Sequence, residues 1–198
     1  HLDGPLTQGN NAITIGGNYT QSGGTFTGSS GGSAIDLNGR FITEAGTFIS
    51  TSGEMTIGFS VGQNGDTIFN SSAGGTVTHN SGKVTFDPSG NCVSTNRTAT
   101  INLNSTLSLY DAEVNAPQCS GEITIATAAG DTITVANNFI HTDGGLGGAW
   151  EVGKDLSIGS AANGGGATIT LNGTAGEVML GAVPLIQPQL TGSFKQRM

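Results

Sequence analysis

The scarcities of this sequence exclude more than its abundances establish. Charged residues make up only 10% of the 198 positions, where about a quarter is usual. Six Lys or Arg stand against 14 Asp or Glu, a formal net charge of -8. A chain so poor in cations has little with which to displace the counterions of a nucleic acid, which excludes nucleic acid as a partner. Aromatics are 6% and hydrophobic residues 35%, too few for a thick globular core. No stretch approaches the ~20 apolar residues of a membrane-spanning helix, so no membrane span is expected. No segment sustains a 3.6-residue apolar period, so helices are not expected either.

Cysteine is nearly absent. Cys92 and Cys119 are the only two, without CxxC spacing, which leaves zinc without support. One disulfide or two free thiols remain the alternatives. Few Lys and many Asn, Ser and Thr suit an exported protein, extracellular or on a cell surface, and that setting favours the disulfide.

Against these absences stand 34 glycines and a line of sequence that recurs. Ile13-Thr14-Ile15 is echoed by Ile35-Asp36-Leu37 and Met55-Thr56-Ile57, then by Val77-Thr78-His79, Ile101-Asn102-Leu103 and Ile123-Thr124-Ile125, at intervals of about 20 to 24 residues. The first three copies also hold an inner phase. An apolar residue recurs six positions after the first (Tyr19, Phe41, Val61) and another at thirteen (Phe26, Phe48, Ile68). Apolar-polar-apolar alternation sends successive side chains to opposite faces, so these are short strands. Gly-Gly, Asn-Gly and Ser-Gly pairs end them. Two or three such strands cannot bury an apolar face alone, so copies must stack.

The expected fold is therefore all-β, a single right-handed parallel β-helix with coils of about 20–24 residues. About nine coils at the strand spacing would form a rod of roughly 40 Å. A β-sandwich is the alternative, but it does not require a phase-locked repeat. Ile13, Ile35 and Met55 are expected in one interior row, and Phe26, Phe48 and Ile68 in another. The solenoid is expected over residues 1–180, irregular around 76–119, where a Cys92–Cys119 bridge would pin neighbouring coils. Residues 181–198 change character and read as a cap or linker, because their two prolines cannot donate to a ladder.

The lines "ITIGGNYTQSGGTFTGSSG" and "IDLNGRFITEAGTFISTSG" resemble the repeats of bacterial secreted and cell-surface β-helix proteins of the adhesin and autotransporter-passenger type. The likeness covers about residues 12–75 well and 98–180 loosely. It implies an extracellular or cell-surface protein and carries no catalytic signature.

Residues for chemistry are few. Asp111 and Glu113 alternate in "YDAEV", as do His141 and Asp143 in "IHTDGG", and each pair is expected to share one face of a strand. A polysaccharide-active β-helix enzyme would need such carboxylates gathered in a groove. The bland alternative is that Asp111 and Glu113 are solvated or guard an edge. No cofactor is expected; Ca2+ would suit the oxygen ligands better than zinc, but the nonapeptide repeat of calcium-bound solenoids is absent. Trp150 reads as a plug in a loose coil or a platform for a sugar ring. Thr-x-Thr at 25–27, 76–78, 98–100, 132–134 and 168–170 raises ice binding, but the unequal steps predict that these pairs scatter over different faces. The expectation is a non-enzymatic structural or adhesive protein whose partner is another copy of itself, in a filament or matrix, or a cell-surface or glycan ligand.

Overall fold

A computed structural model describes residues 4–88, 95–117, 121–163, 165–173, 177–180, 189–191 and 195–197. The described residues contain strands and no helix. Every strand pairing is parallel, and the strands form three sheets of 4, 14 and 5 strands stacked coil upon coil. The fold is a parallel β-helix with three faces.

On the first face stand β2 (Ile13–Ile15), β5 (Ile35–Leu37), β8 (Glu54–Ile57), β11 (Lys83–Phe86) and β14 (Asp111–Asn115), followed by the start of β17 (Phe139–Gly147), then β19 (Leu156–Asn163), β21 (Glu177–Leu180) and β23 (Lys195–Arg197). The second face holds β3 (Tyr19–Gln21), β6 (Phe41–Thr43), β9 (Asp66–Asn70), β12 (Arg97–Asn102) and β15 (Ile123–Thr127), then the end of β17. The third face begins with β1 (Leu6–Thr7), β4 (Thr25–Thr27), β7 (Thr47–Ile49) and β10 (Thr76–Thr78). It continues as a second sheet of β13 (Thr106–Leu109), β16 (Thr132–Val135), β18 (Ala149–Val152), β20 (Thr168–Leu171) and β22 (Gln189–Thr191), with β13 beside β10. Within 181–198, read from sequence as cap or linker, β22 and β23 prolong the ladders of β20 and β21.

Alternation places the core. Ile13, Ile35 and Met55 are successive ladder partners on the first face, and Val84, Ala112, Phe139 and Leu156 continue their row. Phe26 and Phe48 are partners on the third face, their rings stacked with centroids 4.8 Å apart. The next residue in that row is Val77, not Ile68. Ile68 is buried in β9 on the second face, where Phe69 rather than Val61 stacks on Phe41. Each buried phenylalanine contributes roughly 1.5–3 kcal/mol.

The displacement has one cause. The corner between the first two faces is crossed by three residues in the first coils, at 16–18 and 38–40, but by 58–65, 87–96 and 116–122 in the next three. The sequence therefore runs ahead of the coil. Val77 stands on the third face and Ile101 and Ile123 on the second, where an even repeat would put all three on the first. From β17 onward the connection disappears and a single strand turns the corner, pairing with β14 and then with β15. Gly144, at φ +84, makes that turn. Trp150 fills the interior beside it, stacked on Phe139 at 4.8 Å with its indole N–H donating to the Gly147 carbonyl.

The corner after the second face needs glycine for a different reason. Gly46 has φ +80, and a Cβ there would collide with the carbonyl oxygen of Gly24 one coil earlier. Buried Gln21 satisfies the same corner by donating to the carbonyls of Gly23, Gly24 and Thr47 and accepting from the Tyr19 hydroxyl.

Candidate binding face

The chemistry-bearing side chains gather mostly on the first face, in its middle coils. Lys83 Nζ lies 2.9 Å from Glu54 and 2.7 Å from Glu113. Thr85 donates to Glu54 at 2.6 Å and Thr142 to Glu113 at 2.7 Å. Partial burial opposes ionisation of both Glu54 and Lys83, but their mutual attraction and hydrogen bonds prevail. Glu54 is held below its ordinary value and Lys83 above. Asp87, at the end of this strand row, is raised by burial and by the charges of Glu113 and Glu54. The arrangement clamps β8, β11, β14 and β17 together.

Asp111 and Glu113 do alternate on one strand, but they serve different partners. Asp111 accepts from the Asn137 side chain and the Asn138 backbone N–H, both at 2.9 Å, which caps the turn before β17. His141 and Asp143 do not share a face, because a ladder irregularity falls between them. His141 points inward in line with Val114 and Ile158, its Nε2 2.9 Å from the Gly144 carbonyl oxygen. Burial lowers its pKa, partly offset by that bond and by Asp143. Trp150 is fully buried and offers no platform to a sugar. The Cys92–Cys119 pairing lies outside the described residues. Among the described residues no group of three or more His, Cys, Asp or Glu is placed to hold a metal ion.

The connection 58–65 is tied down by arginines from the coils on either side. Arg40 pairs with Asp66 at 3.0 Å and lies over the Phe59 ring, and Arg97 donates to the Val61 carbonyl.

The third face is built differently. Because Phe26, Phe48 and Val77 point in, their neighbours point out. Thr25, Thr47 and Thr76 form one column, and Thr27, Ile49 and Thr78 a second. The later sheet repeats the pattern, with Thr106, Thr132, Ala149 and Thr168 in one column and Ser108, Thr134, Glu151 and Thr170 in the other. Four of the five Thr-x-Thr pairs therefore share this face, and only 98–100 stands elsewhere, in β12. The scatter expected from unequal sequence steps does not occur, because the uneven corner connections compensate for the steps. Within each sheet the ladder repeats the columns at about 4.8 Å, and the two positions on one strand are about 6.7 Å apart. Glu151 is the one charged residue among these outward positions.

The hydroxyls of Thr25, Thr47, Thr76, Thr78 and Thr132 bond to no other side chain or backbone group among the described residues. The threonine pairs are visible in the sequence, but the register that ranks them comes only from strand pairing.

No family model, no curated protein and no solved structure matches this chain in the comparisons made.

Proposed function

We propose that this chain is an extracellular or cell-surface structural rod that adheres to an extended, repetitive surface through its third face, in the manner of the adhesin-type β-helix proteins its repeats resemble. The observation that carries the reading is the ranked set of outward threonines, almost free of charge, in which Thr25, Thr47, Thr76, Thr78 and Thr132 have uncommitted hydroxyls among the described residues. Many weak, uncharged hydrogen bonds repeated along a rod add up by multivalency, without a pocket. The protein is read as non-catalytic, since Glu113 is engaged at both oxygens by Lys83 and Thr142 and Glu54 is tied to Lys83 and Thr85. Polysaccharide cleavage abolished by Glu113→Ala would overturn that part.

The test is adhesion of labelled protein to cells, glycan arrays and insoluble particles, comparing the native chain with Thr76→Lys/Thr132→Lys and with Ser157→Lys on the first face. Adhesion lost only in the third-face variant is the expected result. Equal adhesion of all three proteins would overturn the assignment of the face.

End-to-end self-association is the second reading, favoured by the first coil. The outer edges of β1, β2 and β3 have no ladder partner among the described residues. An apolar recess lined by Ile13, Ile15, Tyr19 and Phe26 opens there, and residues 4–35 carry no charge to discourage edge pairing. Filaments or a rising scattering mass with concentration support it, and a strictly monomeric rod overturns it. The disulfide belongs to the same extracellular reading. Position 92 falls between β11 and β12 and position 119 between β14 and β15, connections whose flanking strands are ladder partners. Intact mass after alkylation without reductant tests it, and two labelled thiols would refute it.

A further inference from the structure

Resting on the adhesive reading of the third face, we propose that the repetitive surface it recognises is ice. A two-dimensional array suits a two-dimensional lattice better than a single chain or a small ligand. The columns headed by Thr25 and Thr27 repeat about every 4.8 Å along the rod and lie about 6.7 Å apart across it. Each threonine in them presents a hydroxyl, which hydrogen-bonds water, beside a methyl group, around which water is ordered, and Ile49 is the one residue of these two columns between Thr25 and Thr78 that lacks the hydroxyl. Since the hydroxyls of Thr25, Thr47 and Thr76 have no protein partner among the described residues, ordered water is their natural complement.

The competing lattices are disfavoured by what the face lacks. A crystalline polysaccharide is gripped by aromatic platforms, and the outward positions of β4, β7, β10, β16 and β20 include none. An anionic mineral or lipid surface calls for Lys or Arg, and those strands carry neither. Ions are also poor neighbours for ice, because each holds a hydration shell of its own. The first face gathers Glu54, Lys83, Asp111 and Glu113, where the outward positions of the third face hold the single charge of Glu151, which makes the binding one-sided.

The experiment uses the native chain and ice itself. Fluorescently labelled protein is offered to a slowly growing ice hemisphere, and recrystallisation of fine-grained ice is followed in its presence. The native protein and Ser157→Lys are expected to concentrate in the ice and to hold the grain size constant. Thr76→Lys/Thr132→Lys is expected to be rejected like a non-binding control. Thr76→Val/Thr132→Val, which keeps the methyl groups and removes only hydroxyls, supplies a second folded variant and is expected to bind less than the native chain. Rejection of the native protein from ice, with its melting transition intact, would overturn the inference. If that protein still adheres to cells or glycans through the third face, the adhesive reading stands and only ice is excluded. If it adheres to nothing, both fail together.

Discussion

Along the first face, Lys83 draws Glu54 and Glu113 together, while Thr85 donates to the same Glu54 oxygen and Thr142 to the other oxygen of Glu113. Along the third, Thr25, Thr47 and Thr76 occupy equivalent outward positions in an equally regular ladder and bind nothing of the protein among the described residues. The two faces have the same backbone and the same alternation, and they differ in where the polar groups spend their hydrogen bonds. A face whose side chains satisfy one another stiffens the rod. A face whose side chains are left over is open to a partner. On the adhesive reading, this difference separates surface that holds the fold from surface proposed to bind.

The core common to both faces sets the largest expected effect. Phe48 is 2% exposed and packs against Tyr19, Phe26 and Phe41. Phe48→Asp should cost more than the roughly 3–5 kcal/mol of a Phe to Ala truncation, because an unpaired charge is added to the cavity. Chemical denaturation should then show no cooperative native transition. An unchanged midpoint would mean that the third-face interior does not support the coils.

Next in size is the clamp. Lys83→Met leaves Glu54 and Glu113 facing each other without their cation. With Lys83 32% and Glu54 44% exposed, solvent screens much of the repulsion, so a loss of roughly 1 kcal/mol is expected, growing as salt is lowered. A variant as stable as the native chain at low salt would show that the first-face side chains are no more structural than those of the third.

Acid should separate the interior histidine from the clamp. The folded-state pKa of His141 lies below the ordinary value of 6.5 because burial disfavours its charge. Above 6.5 both folded and unfolded chains carry it neutral, and its stabilising contribution is complete. As pH falls from 6.5 toward the depressed folded value, the unfolded chain takes up the proton first and stability declines. The Glu54 contribution, with a pKa held below 4.5, is complete above 4.5 and is lost only at lower pH. Melting temperature followed from pH 8 to 3 should fall in two stages, and His141→Gln should remove the upper one. A single stage below 4.5 in the native protein would contradict the buried placement of His141.

The fold was legible because alternation and stacking are local and additive properties. Ile13, Ile35 and Met55 fall in register with nothing longer than three residues at the first corner to disturb them. From 58 onward the corner connections vary in length, and a repeat counted along the chain no longer measures position around the coil. That is why Val77 stands on the third face and Ile68 on the second, away from the positions an even repeat predicts. The same variation hid the candidate face. Thr76 and Thr132 look unrelated in sequence, and Lys83 gives no sign that it will meet both Glu54 and Glu113, because each depends on long-range register that only strand pairing supplies. His141 departs from simple alternation for a related reason, since the irregularity that separates it from Asp143 lies at the bend where β17 passes from one face to the next.

The smallest expected effect sharpens the comparison most. Thr85→Val and Thr76→Val are the same nearly isosteric substitution on the two faces. Thr85 is buried and donates to Glu54 at 2.6 Å, so removing its hydroxyl should cost about 1 kcal/mol. Thr76 is exposed and its hydroxyl is uncommitted among the described residues, so the loss there should stay within about 0.5 kcal/mol. Thermal melts of the two variants beside the native chain measure the difference directly. The binding reading requires that asymmetry: a hydroxyl retained for an external partner adds nothing to the isolated fold, and its removal is felt only when the partner is present. If Thr76→Val destabilises the protein as much as Thr85→Val, the third-face hydroxyls are structural after all, and the case for a surface held in reserve collapses with them.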